Sequence, residues 1–592
     1  MDATGPEGFL NQYEKMAVER PEWGIFLDYS PLRLLVVREW GSYLRRHFPG
    51  VAAVPAARAY DVVLPREMRS SGSAEALERS WEVQFPVLAF GAGLDLMGAV
   101  AAFFLTRIWV RRTTRASSSF WLGRHLHGTW QGLIAATLLW FNPNVLLNGY
   151  GWPTWDTWVA PMFLLAALLA SLDLWFVSGV ALAVGMMLKG QQLAIAPIFP
   201  IWALIVGGPR PALRWVIGMT LGAAVIVSPW MITYLPAEQL HAARMIQASM
   251  PVSEWPATLF VIARAVDGWA IGWIVCAAVA AWAAMRFRNV RWHVAVAAGG
   301  VFILAYWPWL LARNRGLWLN GIFCAAIAAA CAAWLPRRAQ RYMIAGIIGC
   351  GLLLCMSVFH GSTAWWLCGF RFPQLQAPFL IWGPASNMPA IFELRFNWPR
   401  EIDAIAFTMP ALQAFAHGWM ARHGVWPGVP MAVSSGAMFD GVYFVLLILS
   451  GVGIGMHARR RDSRFLVALV TPWLLFFLLP VRLHERYLLF AAATASICIG
   501  HGLGMTLLGI LLTVASSVMT LDQMWKDVGR WGRELSVQFP WLFSPTAGFT
   551  IRHYVENTHP DIGWGILVAG MVFFYLTVMP GRGRRDVQHN SI

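Results

Sequence analysis

Four ionisable side chains fall within five consecutive positions of this 592-residue chain: Arg482, His484, Glu485 and Arg486. The runs on either side, residues 464–480 and 488–500, are apolar enough to lie in a bilayer. Ionisable groups at such a boundary are costly to desolvate, and they commonly mark the path of a substrate or an ion. An isolated Arg/His pair would more simply anchor two helix ends at the membrane surface. Four such groups together favour a functional cluster.

Three other polar elements interrupt apolar sequence. Leu27–Leu32 places Asp28 and Tyr29 just before a predicted helix, and the simplest role for Asp28 alone is that of an N-cap. Leu147–Asp156 is a glycine-rich, aromatic hinge between two apolar spans, and an ordinary loop with interfacial tryptophans is its simpler interpretation. Lys189 interrupts a long apolar run, which is costly unless its amine reaches the interface or meets an anion.

The composition indicates what must position these residues. Hydrophobic residues make up 58% of the chain and charged residues only 13%, which predicts an all-α, polytopic transmembrane helical bundle and not a soluble multidomain enzyme. Aromatic belts at the two membrane interfaces account for many of the 34 tryptophans. The seven cysteines lie mostly in apolar runs, so they indicate neither a disulfide framework nor a metal cluster.

The net charge of +15 reports topology and not a nucleic-acid partner, because the basic residues gather in short loops between apolar runs. These loops are residues 107–115, 210–214, 286–291, 337–341, 459–464 and 582–585. Short loops rich in Lys and Arg stay in the cytoplasm. One transmembrane topology places all six loops in the cytoplasm, and the same topology puts the four polar elements on the opposite, outer side.

Apolar runs predict about 15 membrane helices. They lie near residues 84–106, 125–147, 157–173, 175–188, 192–207, 213–233, 258–284, 292–312, 317–335, 341–358, 441–456, 465–480, 487–500, 503–519 and 563–579. Within them, Gly451–Gly455 resembles a fragment of a dinucleotide-binding fingerprint, but helix packing through small residues is the favoured interpretation inside an apolar span.

This topology divides the chain into alternating membrane and outer-side regions. They are an outer-side loop at 1–83, a transmembrane bundle at 84–358, an outer-side loop with interfacial helices at 359–440, transmembrane helices at 441–519, an outer-side loop at 520–562, and a last helix with a basic tail at 563–592. Ile402–Trp419 is an amphipathic stretch expected to form an interfacial helix. Since residues 1–83 have no apolar segment to carry them outside, one further helix is expected upstream of Met1.

Taken in order, the four elements resemble the motifs of the eukaryotic glucosyltransferases that use dolichyl-phosphate-glucose in N-glycan assembly, which are membrane-embedded GT-C enzymes. Leu27–Leu32 resembles that family's LDYPPL element, and Pro143–Trp155 resembles its Pro-x-x-x-Leu-x-x-Gly-x-Gly/His loop. Leu188–Pro197 resembles its Phe-Lys-Gln-x-x-Leu-x-x-Ala-Pro element. Arg482–Leu488 resembles its His-Glu-Lys motif, here in the His-Glu-Arg-Tyr form of bacterial members.

The resemblance implies a GT-C type bundle that transfers a hexose from a polyprenyl-phosphate-linked donor to an acceptor hydroxyl, with inversion and without a cofactor or metal. Cations would stabilise the leaving phosphate, and Arg suits bidentate phosphate contact. The implied substrate-binding residues are Tyr29, Tyr150, Trp152, Trp155, Asp156, Lys189, Gln191, Arg482, Glu485 and Arg486.

The resemblance also places a carboxylate base in the first outer loop, because an acceptor hydroxyl is a poor nucleophile. Asp2 is the best match by its distance from Asp28, whereas Asp28 and Asp156 are second choices that would otherwise orient the acceptor. His484 joins the catalytic set as a member of the phosphate-binding group.

Two other classes compete with this interpretation. A polytopic transporter would have a similar helix count, but it would show internal repeats and charges near the bilayer midplane. A lipid-linked glycan flippase or polymerase would share the lipid substrate. The acceptor, which is a glycan, lipid or protein, stays open. The chain has no Asn-x-Ser/Thr sequon, which favours a bacterial inner membrane over the endoplasmic reticulum.

Overall fold

The computed structural model describes residues 30–47, 81–113, 128–151, 155–231, 385–398, 401–403, 432–481, 483–528, 553–555 and 557–579. Within these ranges the chain is almost entirely helical, as predicted. The exception is one antiparallel pair, in which β1 (Glu401–Asp403) pairs with β2 (Ala432–Ser434). The expected interfacial helix Ile402–Trp419 therefore begins as a strand, and its residues after Asp403 lie outside the described part.

The α-helices, numbered along the described chain, are α1 Pro31–His47, α2 Trp81–Thr113, α3 Thr129–Trp140, α4 Pro143–Leu146, α5 Val159–Ser171, α6 Trp175–Leu188, α7 Gln192–Ile195, α8 Ile198–Gly207, α9 Pro209–Met231, α10 Met388–Phe396, α11 Ser435–Arg460, α12 Arg464–Leu478, α13 Leu488–Thr494, α14 Leu503–Val528 and α15 Ile562–Val578. A π-helical turn forms at Leu147–Gly151, and 3₁₀ turns form at Asp156–Trp158, Glu485–Tyr487 and Ala495–Gly500.

In the part of the chain that the structure describes, four helices are long and apolar enough to cross a membrane. The qualifying segments are Gln84–Thr113, Pro209–Val227, Phe439–Arg460 and Leu503–Met524. Shorter apolar helices include α5, α6, α12 and α15. The predicted spans at 258–284, 292–312, 317–335 and 341–358 lie outside the described residues.

Two observed helices run further than the apolar sequence suggested. The span predicted to end at residue 106 continues through three arginines to Thr113, because Arg is a good helix former whose charged end can reach solvent. Likewise α14 continues to Val528, so the predicted boundary at residue 520 falls inside a helix. In these two helices the apolar run did not mark the helix end. The single span predicted at 125–147 is wrong, because α3 ends at Trp140 and α4 begins at Pro143 after the cap residue Asn142.

The core lies where α2, α5, α8 and α12 meet, and it is built from aromatic rings. Trp109 of α2 stacks on Phe465 of α12 with ring centroids 3.8 Å apart. Phe163 of α5 meets Trp473 of α12 edge to face at 5.5 Å. The edge-to-face geometry of the second contact is one of the favourable ones for such rings. The core therefore holds α5, which carries part of the site described below, against α12.

Small residues allow α11 to approach its neighbours closely, as predicted for Gly451–Gly455. A Cβ placed on Gly453 would meet the carbonyl oxygen of Thr577 in α15. A Cβ on Gly455 would come within 2.8 Å of Ile205 in α8. These glycines pack against backbone and side chains of α8 and α15, as small residues do between membrane helices.

One end of the bundle is basic, and α5 and α6 begin or end there. Arg112 of α2 donates a hydrogen bond to the carbonyl oxygen of Ser171, the last residue of α5, over 3.1 Å. Arg461 and Asp173 act electrostatically on the same arginine. Since α5 runs from Val159 to Ser171, its first residues point to the opposite end. We call the end around Arg112 and Ser171 the basic end.

A histidine clasp ties three helices together at the basic end. The Nε2 atom of His457 lies 2.9 Å from the carbonyl oxygen of Thr577, and its Nδ1 atom lies 3.1 Å from a carboxylate oxygen of Asp462. The second oxygen of Asp462 accepts a hydrogen bond from the backbone amide of Arg464. The clasp therefore joins the last turn of α11, the start of α12 and the last turn of α15.

Candidate functional site

A buried carboxylate bridges two cations from different parts of the chain. The Nζ atom of Lys189 lies 2.7 Å from Oδ1 of Asp156, and Nε of Arg486 lies 2.9 Å from its Oδ2. The Asp156 side chain is fully buried, whereas that of Arg486 is 19% exposed. Burying charges requires paired, well-placed partners, and each oxygen of this carboxylate has one. We call Asp156, Lys189 and Arg486 the ion-pair cluster.

Each member of the cluster lies where a helix begins or ends, at the end of the bundle opposite the basic end. Trp155 adopts a left-handed conformation (φ 63°) that turns the chain into the short helix beginning at Asp156. Lys189 is extended and ends α6. Arg486 lies in the 3₁₀ turn that precedes α13. Three of the four polar elements found in the sequence therefore converge on one site.

A second contact joins the Lys189 and Arg486 segments. The side-chain amide of Gln191 donates a hydrogen bond to the hydroxyl of Tyr487 over 3.2 Å. Tyr487 packs edge to face on the His484 ring, with centroids 5.7 Å apart. Glu485 is buried beside Arg486 and acts on it electrostatically. Gln191, His484 and Glu485, all predicted site residues, thus lie in the same network.

Arg33 is a cation of this site that the sequence did not single out. Its guanidinium lies 4.7 Å from the centroid of the Trp155 ring, and it acts electrostatically on both Asp156 and Lys189. It occupies the first turn of α1, one residue beyond the Leu27–Leu32 element. This position could have identified Arg33 from the sequence, because a cation directly after Leu27–Leu32 lies on the helix that begins there, close to that polar element.

Among the described residues, the site carries an excess of positive charge. Three described cations (Arg33, Lys189 and Arg486) face two described carboxylates (Asp156 and Glu485). Burial, together with the positive charges of Arg33 and Arg486, lowers the pKa of Lys189 to about 8, although Asp156 opposes this shift. Burial acts to lower the pKa of Arg486, but Asp156, Tyr487 and Glu485 together outweigh it and raise that pKa above its ordinary value.

A second polar centre lies next to the cluster. The hydroxyl of Tyr150 donates a hydrogen bond to Oδ2 of Asp95 over 3.0 Å. Burial and the neighbouring Asp95 raise the pKa of Tyr150, so the phenol stays protonated at neutral pH. A Cβ placed on Gly149 would lie 3.4 Å from Thr157 and 3.8 Å from Asp95, so the pair is adjacent to the segment that carries Asp156. Sequence reasoning found Tyr150 but missed Asp95, although an acidic residue inside an apolar span was a visible signal.

A ladder of amides and hydroxyls fixes the hinge that carries Tyr150. Asn142 caps α4 by accepting a hydrogen bond from the backbone amide of Asn144, with Pro143 in the first turn. The side-chain amide of Asn144 donates to the hydroxyl of Ser516 in α14, and that of Asn148 lies 3.4 Å from the Thr520 hydroxyl. Asn148 lies four residues after Asn144, and Thr520 lies four residues after Ser516. The two contacts are therefore one helical turn apart and hold the hinge against α14 at two points.

Tryptophans near the cluster are packed and not open to solvent. Trp155 is only 8% exposed, and it stacks on Trp158 with centroids 5.1 Å apart and meets Trp40 edge to face. In this structure Trp155 supports the Asp156 turn, and its expected contact with a substrate stays a prediction. Asp2, Asp28, Tyr29, Trp152 and Arg482 lie outside the described residues.

Comparison of the chain with models of protein families, with curated proteins and with solved structures gave no match.

Proposed function

We propose that this chain is an integral, multi-pass membrane glycosyltransferase of the GT-C type, which transfers a hexose from a polyprenyl-phosphate-linked donor to an acceptor hydroxyl. The basic end would lie in the cytoplasm, because short Lys/Arg-rich loops stay there. The ion-pair cluster at the opposite end would then work on the outer face, in a bacterial inner membrane. The acceptor would be a glycan, a lipid or a protein.

The observation that supports this proposal is the excess of cations around Asp156. One carboxylate paired with one cation would be electrically neutral, but in the described part of this site three cations meet two carboxylates in a poorly solvated place. An added anion would therefore be favoured, and Arg in particular suits a phosphate. Arg486 is the most exposed member of the ion-pair cluster, so it is the member that a ligand reaches first.

This arrangement fits the departure of a phosphate monoester. As the acceptor oxygen bonds to the anomeric carbon, the bond between that carbon and the phosphate oxygen breaks, and the electron pair stays on the phosphate. Fixed cations stabilise such developing charge without having to reorganise. Arg486 and Lys189 would receive the phosphate, with Arg33 and His484 beside them. Attack from the opposite face would invert the anomeric centre.

Asp156 is poorly placed to be the base in this reaction, since each of its oxygens contacts a cation. We therefore assign Asp156 the role of positioning Lys189 and Arg486. A carboxylate elsewhere must take the proton of the acceptor hydroxyl. Asp2 and Asp28 lie outside the described residues, so their role as the base stays a prediction from the sequence.

The proposal is tested by sugar transfer in lipid nanodiscs. The purified full chain is given a panel of polyprenyl-phosphate hexoses with candidate acceptors, and released polyprenyl phosphate is followed by mass spectrometry. We expect release by the unaltered protein, a large loss in Arg486→Gln, and no loss in Arg111→Gln. Arg111 is a suitable control because it is exposed at the basic end, where it bonds to Thr129. Equal release by all three proteins would remove the cluster from the reaction.

A polytopic transporter is the second candidate, and Asp95 is the observation that favours it. This carboxylate lies inside a membrane-length helix, where ionisable groups often serve as ion or proton relays. The two functions separate in liposomes. Formation of a new glycosidic bond without solute uptake supports the transferase, whereas uptake without bond formation supports the transporter.

A further inference from the structure

Asp95 is a buried acid that the reaction described above does not use. It lies in the apolar segment Gln84–Thr113, is 4% exposed, and accepts a hydrogen bond from Tyr150. A carboxylate in such a place is expensive unless it is paired or functional. Its partner here is a neutral phenol, and among the described residues no cation lies within ion-pair distance of Asp95.

Holding Tyr150 in place does not require an acid. The side-chain oxygen of an asparagine would accept the same hydrogen bond, and a neutral amide costs less to bury than a carboxylate. What aspartate adds at this position is the capacity to take up a proton. A glutamine or asparagine would have served a purely structural contact.

The position of Asp95 links it to the ion-pair cluster. Gly91, Asp95 and Gly98 follow one another at spacings of four and three residues, so they share one face of α2. A Cβ on Gly91 would contact the Trp158 ring nitrogen, and a Cβ on Gly98 would contact Pro161. That face therefore packs on the segment that begins at Asp156. Asp95 lies about 6 Å deeper in the bundle than the Gly91 level.

Among the described residues, Tyr150 is the titratable group that is hydrogen-bonded to Asp95, and several charged groups on the elements that pack against α2 are engaged elsewhere. Asp156 is held by its own cations, and Arg33 of α1 acts on Asp156. Arg464 of α12 binds the Met579 carbonyl near the basic end. Cys498 is buried in the 3₁₀ turn Ala495–Gly500. The last residue of that turn, Gly500, lies against Thr106 and Val110 of α2, which are three to four helical turns from Asp95 along α2. Helices α3 and α5 carry no titratable side chain.

We propose that Asp95 and Tyr150 form a proton-accepting pair, in which the half-buried phenol faces the ligand and the buried carboxylate stores the proton. A ligand hydroxyl gives its proton to the Tyr150 oxygen while the phenol proton moves to Oδ2 of Asp95. Tyr150 ends unchanged and Asp95 ends neutral. In sugar transfer, a step that rests on the function proposed above, the deprotonated oxygen bonds to the anomeric carbon as the phosphate departs.

The pair is tested first without any substrate, by infrared difference spectroscopy of the full chain in nanodiscs during a pH titration. Subtracting spectra of Asp95→Asn from those of the unaltered protein isolates the carboxyl C=O stretch of Asp95. We expect that band to appear on acidification and to move in Tyr150→Phe, which removes the phenol proton. It should be unchanged in Thr106→Val, a buried substitution in the same helix. Identical spectra of the unaltered protein and Asp95→Asn at every pH would overturn the proposal.

Turnover then tests whether the pair serves sugar transfer. Asp95→Asn should lower kcat by roughly 10²–10⁴-fold, the usual contribution of general acid–base catalysis. Its affinity for added undecaprenyl phosphate should stay unchanged, whereas Arg486→Gln should lose that affinity. Full turnover in Asp95→Asn would exclude Asp95 from the reaction. If the unaltered protein turns over no donor, the transferase fails, while the infrared result still decides the proton-accepting pair.

Discussion

The side-chain amide of Gln191 and the hydroxyl of Tyr487 lie 3.2 Å apart, although 296 positions separate them in the chain. Gln191 is two residues from Lys189, and Tyr487 directly follows Arg486. The same two segments are therefore joined twice, once by this neutral contact and once through Asp156. Two bonds between a pair of helix ends fix their relative rotation as well as their distance, so the cations are held in place before a ligand arrives.

Removing the carboxylate of the ion-pair cluster should destabilise the fold strongly. Asp156→Asn keeps the size of the side chain but leaves Lys189 and Arg486 without their counter-ion in a buried place. Breaking a buried ion pair by loss of one partner costs about 3–5 kcal/mol. Thermal unfolding in detergent measures this change. The matched control is Asp561→Asn, which breaks an exposed pair with Arg395 and should leave the unfolding temperature unchanged. Equal shifts in both variants would contradict the prediction.

Binding of a phosphate lipid should weaken as the pH rises through about 8. Below that value Lys189 carries its proton and adds to the excess of cations, and above it the amine becomes neutral. Titration calorimetry with undecaprenyl phosphate between pH 6 and 10 measures the affinity. Lys189→Arg keeps the charge over this range and should flatten the profile. A falling profile of the same shape in Lys189→Arg would assign the pH dependence to another group.

A methyl group at Gly453 should destabilise the packing of α11 on α15, because it would meet the carbonyl oxygen of Thr577. Gly441 lies in the same helix, and a Cβ there would meet nothing within 4 Å. Gly441→Ala should therefore stabilise slightly, by roughly 0.5–1 kcal/mol from backbone entropy. Unfolding temperatures of the two variants compare them directly. If Gly453→Ala unfolds at the same temperature as Gly441→Ala, α15 does not pack on α11 as described.

The histidine clasp predicts a loss of stability in acid. Burial acts to raise the pKa of Asp462, but hydrogen bonds from His457 and from the Arg464 amide lower it below the ordinary value of 3.8. A carboxyl with a depressed folded-state pKa stabilises above its unfolded pKa, and that contribution disappears as the pH falls through the folded-state value. Unfolding temperatures measured from pH 7 downward should fall more steeply in the unaltered protein than in Asp462→Asn. Parallel curves would mean that Asp462 does not contribute.

The sequence predicted the helical class and much of the site, and its errors have physical causes. The Asp156, Lys189 and Arg486 elements stood out because polar groups interrupt apolar runs, and they converge in the structure. Asp95 was overlooked because it lies inside such a run, where a single charged residue hardly changes the mean hydropathy. Arg33 was overlooked because one arginine near a helix start is unremarkable until its neighbours in space are known.

Helix ends were the least predictable part of the fold. The apolar run of α2 stops at Thr106, yet the helix continues to Thr113 because Arg107, Arg111 and Arg112 favour helix and reach solvent. The pairing of Asn144 with Ser516 could not be foreseen either. It depends on which faces of two distant helices meet, and a single sequence does not contain that information.

The shortness of α5 and α6 sets the depth of the ion-pair cluster. These helices have 13 and 14 residues, so each spans about 20 Å, whereas the hydrocarbon core of a bilayer is about 30 Å thick. With the basic end at one surface, as proposed above, Lys189 directly after α6 would stop about 8 Å short of the other surface. Asp156, which begins the 3₁₀ turn before α5, would stop about 5 Å short of it. If the chain binds a lipid phosphate, as we propose, that phosphate would have to leave the headgroup plane to reach the ion-pair cluster, or the bilayer would have to become thinner around the protein. The local thickness of the bilayer would then help to determine how readily such a ligand enters the site.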